Sequence, residues 1–85
     1  MSYRLVILPA AQRQMAALDR DVQRRLDIKI NSLTDNPRPA NVIKMQGSDD
    51  LWRVRVGDWR IIYSILDREL VVLVVKLGHR REIYR

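Results

Sequence analysis

The first third of the chain carries one short apolar run and then apolar residues at helical spacing. The run YRLVIL, at residues 3–8, predicts a β-strand that stops before Pro9. A proline at this point is typical of the first position of a helix. Beyond it, apolar residues recur at i, i+4 and i+7, which predicts a short helix with one apolar stripe made of Ala11, Met15 and Leu18.

A second helix is predicted to begin at the DRD cluster of residues 19–21, where Asp19 or Asp21 can act as the cap. Its apolar stripe comprises Val22, Leu26, Ile30 and Leu33. The run TDNPRP at 34–39 ends this helix, because a residue that precedes proline avoids the α region. Residues 36–50 are predicted to form an extended loop.

From Leu51 onward the apolar pattern changes to a period of two. The segments LWRVRV, WRIIYSIL and ELVVLVVKL, joined by GD and DR, predict two consecutive hairpins. The last strand is apolar on both faces, so we expect it in the middle of the sheet. The predicted fold is α+β with the order β-α-α-β-β-β: one domain over residues 1–85, with a small, mostly antiparallel four-stranded sheet and two N-terminal helices packed on one face.

The first hairpin has a specific predicted register. If Gly57-Asp58 is a two-residue turn, Arg55 lies opposite Arg60, and Arg53 lies opposite Ile62. Alternation then places the apolar and aromatic side chains on the core face: Trp52, Val54, Val56, Trp59, Ile61 and Tyr63. The three arginines share the opposite face.

Like charges directly across a strand pair are destabilising, so this arginine cluster favours an anionic ligand such as phosphate. The alternative is an ordinary charged solvent face. The closing segment HRREIYR is expected to bring further polar groups toward the same face: His79, Arg80, Arg81 and Tyr84. Lys44 is a weaker candidate, because only its position just before the arginine strand recommends it over a solvated loop residue.

Composition agrees with a polyanionic partner. The chain has 16 basic and 10 acidic residues, which gives a net charge of +6 and a pI near 10.5. It has no cysteine, which fits a reducing compartment such as the cytoplasm, and its apolar runs are too short to span a bilayer. A single histidine with scattered aspartates does not make a metal site, and we expect neither a metal nor another cofactor.

The run LWRVRVGDWRIIYSILDRELVVLVVKLGHRREIYR, with NP at the helix end and KMQG before it, closely resembles the RelE/ParE superfamily of bacterial toxins. Within that superfamily it is most similar to the RelE branch. The resemblance covers essentially the whole chain and implies a ribosome-dependent mRNA endonuclease that inhibits translation. Such toxins cut the A-site codon by metal-free attack of a 2′-hydroxyl, leaving a 2′,3′-cyclic phosphate and a 5′-hydroxyl.

The resemblance also implies roles for individual residues. The active-site residues correspond to Arg53, Arg55, Arg60, Arg80 and Tyr84, while Lys44, His79 and Arg81 are expected to contact RNA. The implied partners are a RelB-like antitoxin that blocks this surface, the 70S ribosome with its mRNA, and operator DNA bound through the antitoxin. No membrane partner is expected.

This chain departs from the family pattern at two positions. Well-known members carry lysines where Arg53 and Arg55 stand, and arginine is a poor base at neutral pH. Tyr84, His79 or Lys44 would then move the proton, or electrostatic stabilisation would dominate. Two alternative functions stay open: a ParE-like inhibitor of DNA gyrase, and a non-catalytic nucleic-acid-binding module.

Overall fold

The computed structural model describes residues 2–47 and 50–79. Its elements are β1 (Arg4–Ile7), α1 (Pro9–Ala16), α2 (Arg20–Asp35), β2 (Ile43–Lys44), β3 (Leu51–Val56), β4 (Trp59–Leu66) and β5 (Val71–His79). The strands form one sheet in the order β1-β5-β4-β3-β2, in which β1 and β5 are parallel and the other neighbours are antiparallel. The predicted α+β class is confirmed, and the predicted elements follow one another in the predicted order, with one further short strand, β2, after α2.

The sheet has five strands rather than the predicted four. Ile43 and Lys44, which were predicted to lie in an extended loop, pair with Arg53 and Trp52 and form the short strand β2. A two-residue strand shows no alternation that a pattern can detect, so the sequence carried no signal for it. Strand β5 lies between β1 and β4, which confirms its predicted central position.

The helices begin and end where proline and the apolar stripes indicate. Pro9 occupies the start of α1, and α2 ends at Asp35, just before the extended residue Asn36 and the following proline. Asp19 occupies the N-cap position of α2, but its side chain makes no capping hydrogen bond. The helix is therefore held by packing of its apolar stripe rather than by a cap.

Both helices pack on the same face of the sheet and enclose a small core. The fully buried helix residues Leu26, Ile30 and Leu33 contribute to one cluster with the sheet residues Val54, Ile61, Tyr63, Val72, Val74 and Leu77. Trp52, Val56 and Trp59 pack against this cluster while remaining partly exposed. The predicted core face of the first hairpin is therefore confirmed, and among residues 2–47 and 50–79 no helix packs on the sheet's other face.

The side chain of Gln14 in α1 accepts a hydrogen bond from the backbone of β5, in the part of that strand that extends beyond β1. Pairing between β1 and β5 stops at Ile7 and Val74, and the Leu77 N–H donates instead to Gln14 Oε1 at 2.9 Å. A part-buried donor left without an acceptor costs roughly 1–3 kcal/mol.

We expect Gln14→Ala to lower the free energy of unfolding by about 1–3 kcal/mol, because it leaves the Leu77 amide without an acceptor. Gln14→Glu keeps an acceptor oxygen at the Oε1 position and serves as the matched control. Urea unfolding of the two variants checks the difference, and hydrogen exchange at Leu77 localises it. If Gln14→Ala is as stable as the wild type, the hydrogen bond between Leu77 and Gln14 does not contribute to the stability of the fold.

Candidate active site

The first hairpin brings the three sequence-predicted arginines together on the face of the sheet opposite α1 and α2. Strands β3 and β4 pair in the predicted register, with Arg55 opposite Arg60 and Arg53 opposite Ile62. Gly57 opens the connecting turn with φ +59, and Asp58 has no positive φ. This is the pattern of a type II′ turn, which requires glycine at its first central position and fixes the register of the strands beside it.

The arginines line a depression of about 440 Å³, here called the arginine depression. Its walls are Asn41, Ile43, Arg53, Arg55, Gly57 and Arg60. The sequence did not reveal the roles of Asn41 and Ile43, because the loop and β2 are brought to the hairpin by tertiary pairing. Arg60 is partly buried, and its Nη1 donates long hydrogen bonds to the carbonyls of Gly57 (3.4 Å) and Trp59 (3.3 Å). These contacts hold its guanidinium beside the turn.

Arg55 and Arg60 face each other without a neutralising carboxylate from the described part of the chain. Within residues 2–47 and 50–79, the one ion pair joins Arg38 to Asp67, away from these two side chains. Two guanidinium groups directly across a strand pair repel each other, and a shared anion would remove that cost. The depression thus has the charge to attract an anionic group such as phosphate.

Two other candidates lie on the opposite face of the sheet. Lys44 pairs with Trp52, and its Nζ lies 5.9 Å from the centre of the Trp52 ring. His79 pairs with Trp59 and contacts the Trp59 ring edge-on at 5.5 Å between centroids. The expectation that His79 lies on the arginine face is therefore wrong, because Gly78 rather than His79 stands opposite Arg60.

Lys44 still reaches the rim of the site from the sheet edge. Together with Ile43, Met45, Gln46 and Arg53 it lines a neighbouring depression of about 350 Å³. The remaining sequence candidates are Arg80, Arg81 and Tyr84, and they lie outside the described residues.

A polar cluster that was not evident from the sequence anchors the loop that lines the arginine depression. Arg38 makes a two-pronged contact with Asp67, at 2.8 Å from Nη2 to Oδ2 and 3.3 Å from Nη1 to Oδ1. The Tyr3 hydroxyl donates to Asp67 Oδ1 at 2.7 Å, and the Arg38 guanidinium lies 5.3 Å from the centre of the Trp52 ring. The cluster therefore ties the loop after α2 to β1, β3 and the β4–β5 turn.

The Arg38 guanidinium, followed by the Tyr3 hydroxyl, holds the pKa of Asp67 below its ordinary value of 3.8. Because the folded pKa is lowered, the stabilising effect is present above the ordinary value and is lost as pH falls through the folded pKa. We expect the wild type to lose more stability between pH 7 and pH 2 than Asp67→Asn does. Glu69→Gln, in the same turn, is the control for charge. Parallel acid-unfolding curves for wild type and Asp67→Asn would contradict the cluster's role.

A family profile described as "ParE toxin of type II toxin-antitoxin system, parDE" matches residues 5–84. The chain belongs to the RelE/ParE toxin superfamily. The predicted resemblance to that superfamily is thereby confirmed.

Similar proteins come from the RelE side of the superfamily. The chain is 28% identical to the mRNA interferase toxin RelE of Escherichia coli K12, over 99% of this chain and 92% of that protein. It superposes on RelE in the crystal structure of the archaeal RelE–RelB complex from Pyrococcus horikoshii with a TM-score of 0.83, at 32% identity, covering 96% of this chain and 99% of the other. The intact E. coli RelBE complex gives a TM-score of 0.81 at 26% identity, covering 92% and 96%.

Proposed function

We propose that this RelE-like toxin is an endoribonuclease that cleaves mRNA in the ribosomal A site and thereby inhibits translation. The observation that carries the proposal is the pair Arg55 and Arg60, which face each other in one depression without a neutralising carboxylate from the described residues. The similarity to the E. coli K12 mRNA interferase RelE supports RNA as the source of the phosphate.

The proposed reaction is an intramolecular transesterification that needs no water in the cleavage step. The 2′-oxygen attacks the adjacent phosphorus, the bond from phosphorus to the 5′-oxygen breaks, and the products carry a 2′,3′-cyclic phosphate and a 5′-hydroxyl. The 2′-hydroxyl loses a proton and the departing 5′-oxygen gains one. Negative charge builds up on the pentacoordinate phosphate between these events, and preorganised donors at that place lower the barrier.

Arg60 and Arg80 are assigned to stabilise this charge, and Arg53 and Arg55 to orient the phosphate. The carbonyl contacts of Arg60 support its assignment, because a guanidinium already held in place loses little freedom on binding. Tyr84 is assigned to stack on a base or to take part in proton transfer. Lys44, which reaches the rim from the sheet edge, is assigned to RNA binding, together with Arg81 and with His79 on the opposite face of the sheet.

The arginines make charge stabilisation the main contribution of the described surface. An arginine stays protonated near neutral pH and is a poor general base. Lys44 and His79 both lie on the face opposite the arginine depression, which weighs against either as the base. The chemistry therefore depends on electrostatics at the phosphate, with proton transfer assigned to Tyr84 or to solvent.

The partners follow from the same proposal. RelE is bound to RelB in the P. horikoshii and E. coli complexes, which supports a RelB-like antitoxin for this chain. The proposed site of action is the ribosome, and hence the cytoplasm, with the antitoxin covering the arginine depression and carrying the complex to operator DNA. None of the helices in the described parts of the chain is long and apolar enough to cross a membrane.

Inhibition of DNA gyrase is the second candidate, because the family description that matches names ParE. Two assays with the purified toxin separate the candidates: translation of a defined message with mapping of the cut positions, and gyrase supercoiling of relaxed plasmid. We expect cuts within codons on translating ribosomes and unchanged supercoiling. An intact message together with blocked supercoiling would replace the proposal with the gyrase function.

A further inference from the structure

A groove runs between α2 and the free edge of β3. It has a volume of about 450 Å³ and is lined by Arg25, Ile28, Lys29, Ser32, Arg55 and Val56. The groove is open because β2 pairs only with Trp52 and Arg53, and no other strand in the described ranges 2–47 and 50–79 pairs with the outer edge of residues 54–56. Three of its side chains are cationic, one is a hydroxyl and two are apolar.

Arg25 places a guanidinium against the turn of the first hairpin. Its Nη2 lies 2.7 Å from the position that a Cβ atom on Gly57 would occupy. Gly57 also has a φ of +59, so both backbone conformation and space favour glycine there. Because Gly57 lines the arginine depression, this contact brings Arg25 to the end of that depression.

The groove and the arginine depression form one continuous basic surface. Arg55 lines both, and Arg25 reaches Gly57 at the junction. Within the described ranges 2–47 and 50–79, no carboxylate pairs with Arg25, Lys29 or Arg55, although Asp21 and Asp27 are on the same helix. A row of unneutralised cations on rigid elements favours a ligand that carries anionic charges in a line.

We propose that this α2 groove binds the sugar-phosphate backbone of the RNA segment adjoining the nucleotides held in the arginine depression. Arg25 and Lys29 each contact a phosphate, the first through its planar fork and the second as a point charge. Ile28, which is 66% exposed, and Val56 supply an apolar surface for ribose or base. The inference rests on the proposed function only in that RNA occupies the arginine depression.

An RNA strand fits this surface better than an acidic protein segment for a geometric reason. An RNA strand bound in the arginine depression has to continue in both directions. The α2 groove begins at Arg55, which lines both the groove and the arginine depression. The cations therefore continue the same line of charge rather than forming a separate patch. Binding of an acidic protein in the groove is the alternative outcome that the experiment has to distinguish.

The salt dependence of RNA binding tests the inference. The probes are two fluorescent single-stranded RNAs, three and nine nucleotides long, with a 2′-O-methyl group at every position so that the toxin cannot cleave them. The variant Arg25→Ala/Lys29→Ala removes both cations of the groove. The control Arg20→Ala/Arg24→Ala removes the same charge from α2, but from side chains that line a different depression.

We expect the slope of log K against log salt for the longer RNA to become shallower by about 1.4 in Arg25→Ala/Lys29→Ala, or about 0.7 for each lost phosphate contact. The control should keep the wild-type slope, and the shorter RNA should bind the wild type and the groove variant alike. Circular dichroism verifies that both variants fold. Because the probes cannot be cleaved and no ribosome is present, the result does not depend on the cleavage step in the proposed function.

Three results would overturn the inference. The first is an identical slope for the groove variant and its control on the longer RNA. The second is no measurable binding of either RNA by the wild type at low salt. The third is a groove variant that binds RNA normally but loses affinity for the purified antitoxin, which would assign the groove to a protein partner. If the translation assay instead shows an intact message while the slope changes as expected, the proposed cleavage fails and the RNA groove stands.

Discussion

Replacing Arg60 with alanine is expected to abolish growth inhibition by this toxin while leaving the protein folded. Arg60 is the one arginine of the described site that both faces another arginine and is held by backbone carbonyls of its own hairpin. It can thus present its donors to a phosphate without rearrangement. Removing one preorganised donor of this kind typically lowers the catalytic rate by about 10²–10³-fold.

The measurement is growth after induced expression, paired with the rate of message cleavage by the purified variant. Arg68→Ala provides the matched control, because it removes the same charge from the exposed β4–β5 turn. Stability should change by less than about 1 kcal/mol, since loss of Arg60 also relieves its repulsion with Arg55. Antitoxin binding reports that the surface is intact. A folded Arg60→Ala protein with full toxicity would remove Arg60 from the mechanism.

Tyr63→Ala is expected to have the largest effect on stability, a loss of about 3–5 kcal/mol in the free energy of unfolding. The Tyr63 ring is fully buried in the core cluster, and its hydroxyl donates to the Pro37 carbonyl at 2.7 Å. Burial raises the pKa of Tyr63 above its ordinary value of 10.0, so the donor stays protonated throughout the usual pH range. Domains of this size have only about 5–15 kcal/mol in total, so this one substitution removes a substantial share of the stability.

Tyr63→Phe separates the two contributions of this side chain. It keeps the ring but leaves the Pro37 carbonyl without its donor, which should cost about 1–3 kcal/mol. The hydroxyl also fastens the loop that leads to Asn41 and Ile43, so we expect a reduced cleavage rate in the folded Phe variant. Denaturant unfolding and the translation assay provide the two readouts. A loss below about 1 kcal/mol for Tyr63→Ala would contradict the core position assigned to this residue.

The sequence predicted the hairpin in detail because local signals agree there. The Gly57-Asp58 turn fixes the register, and alternation then decides which side chains face the core. The arginine face follows from these two facts, so its three described members were predictable from residues 51–63 alone. The resemblance to the RelE/ParE superfamily implied mRNA as the substrate, which neither the turn residues nor the alternation of side chains can indicate.

Other parts of the site depend on contacts that no local pattern encodes. Arg38 and Tyr3 meet Asp67 across 29 and 64 positions of the chain, so their cluster had no sequence signature. The prediction that the end of the last strand lies beside Arg60 is correct, because β5 pairs with β4. However, Gly78 lies opposite Arg60, and His79 is the next residue along the strand. A shift of one residue moves a side chain to the other face of a sheet, and this explains the misplacement.

A message with one 2′-O-methyl group at the scissile nucleotide tests whether the toxin cleaves mRNA by attack of the 2′-oxygen. Ribosomes stalled with this nucleotide in the A site are incubated with the toxin, alongside ribosomes carrying the unmodified message. We expect the unmodified message to be cut to a 2′,3′-cyclic phosphate and a 5′-hydroxyl, and the modified message to stay intact because its 2′-oxygen cannot attack. Cleavage of the modified message at the same bond, or products that carry a 5′-phosphate, would rule out attack by the 2′-oxygen.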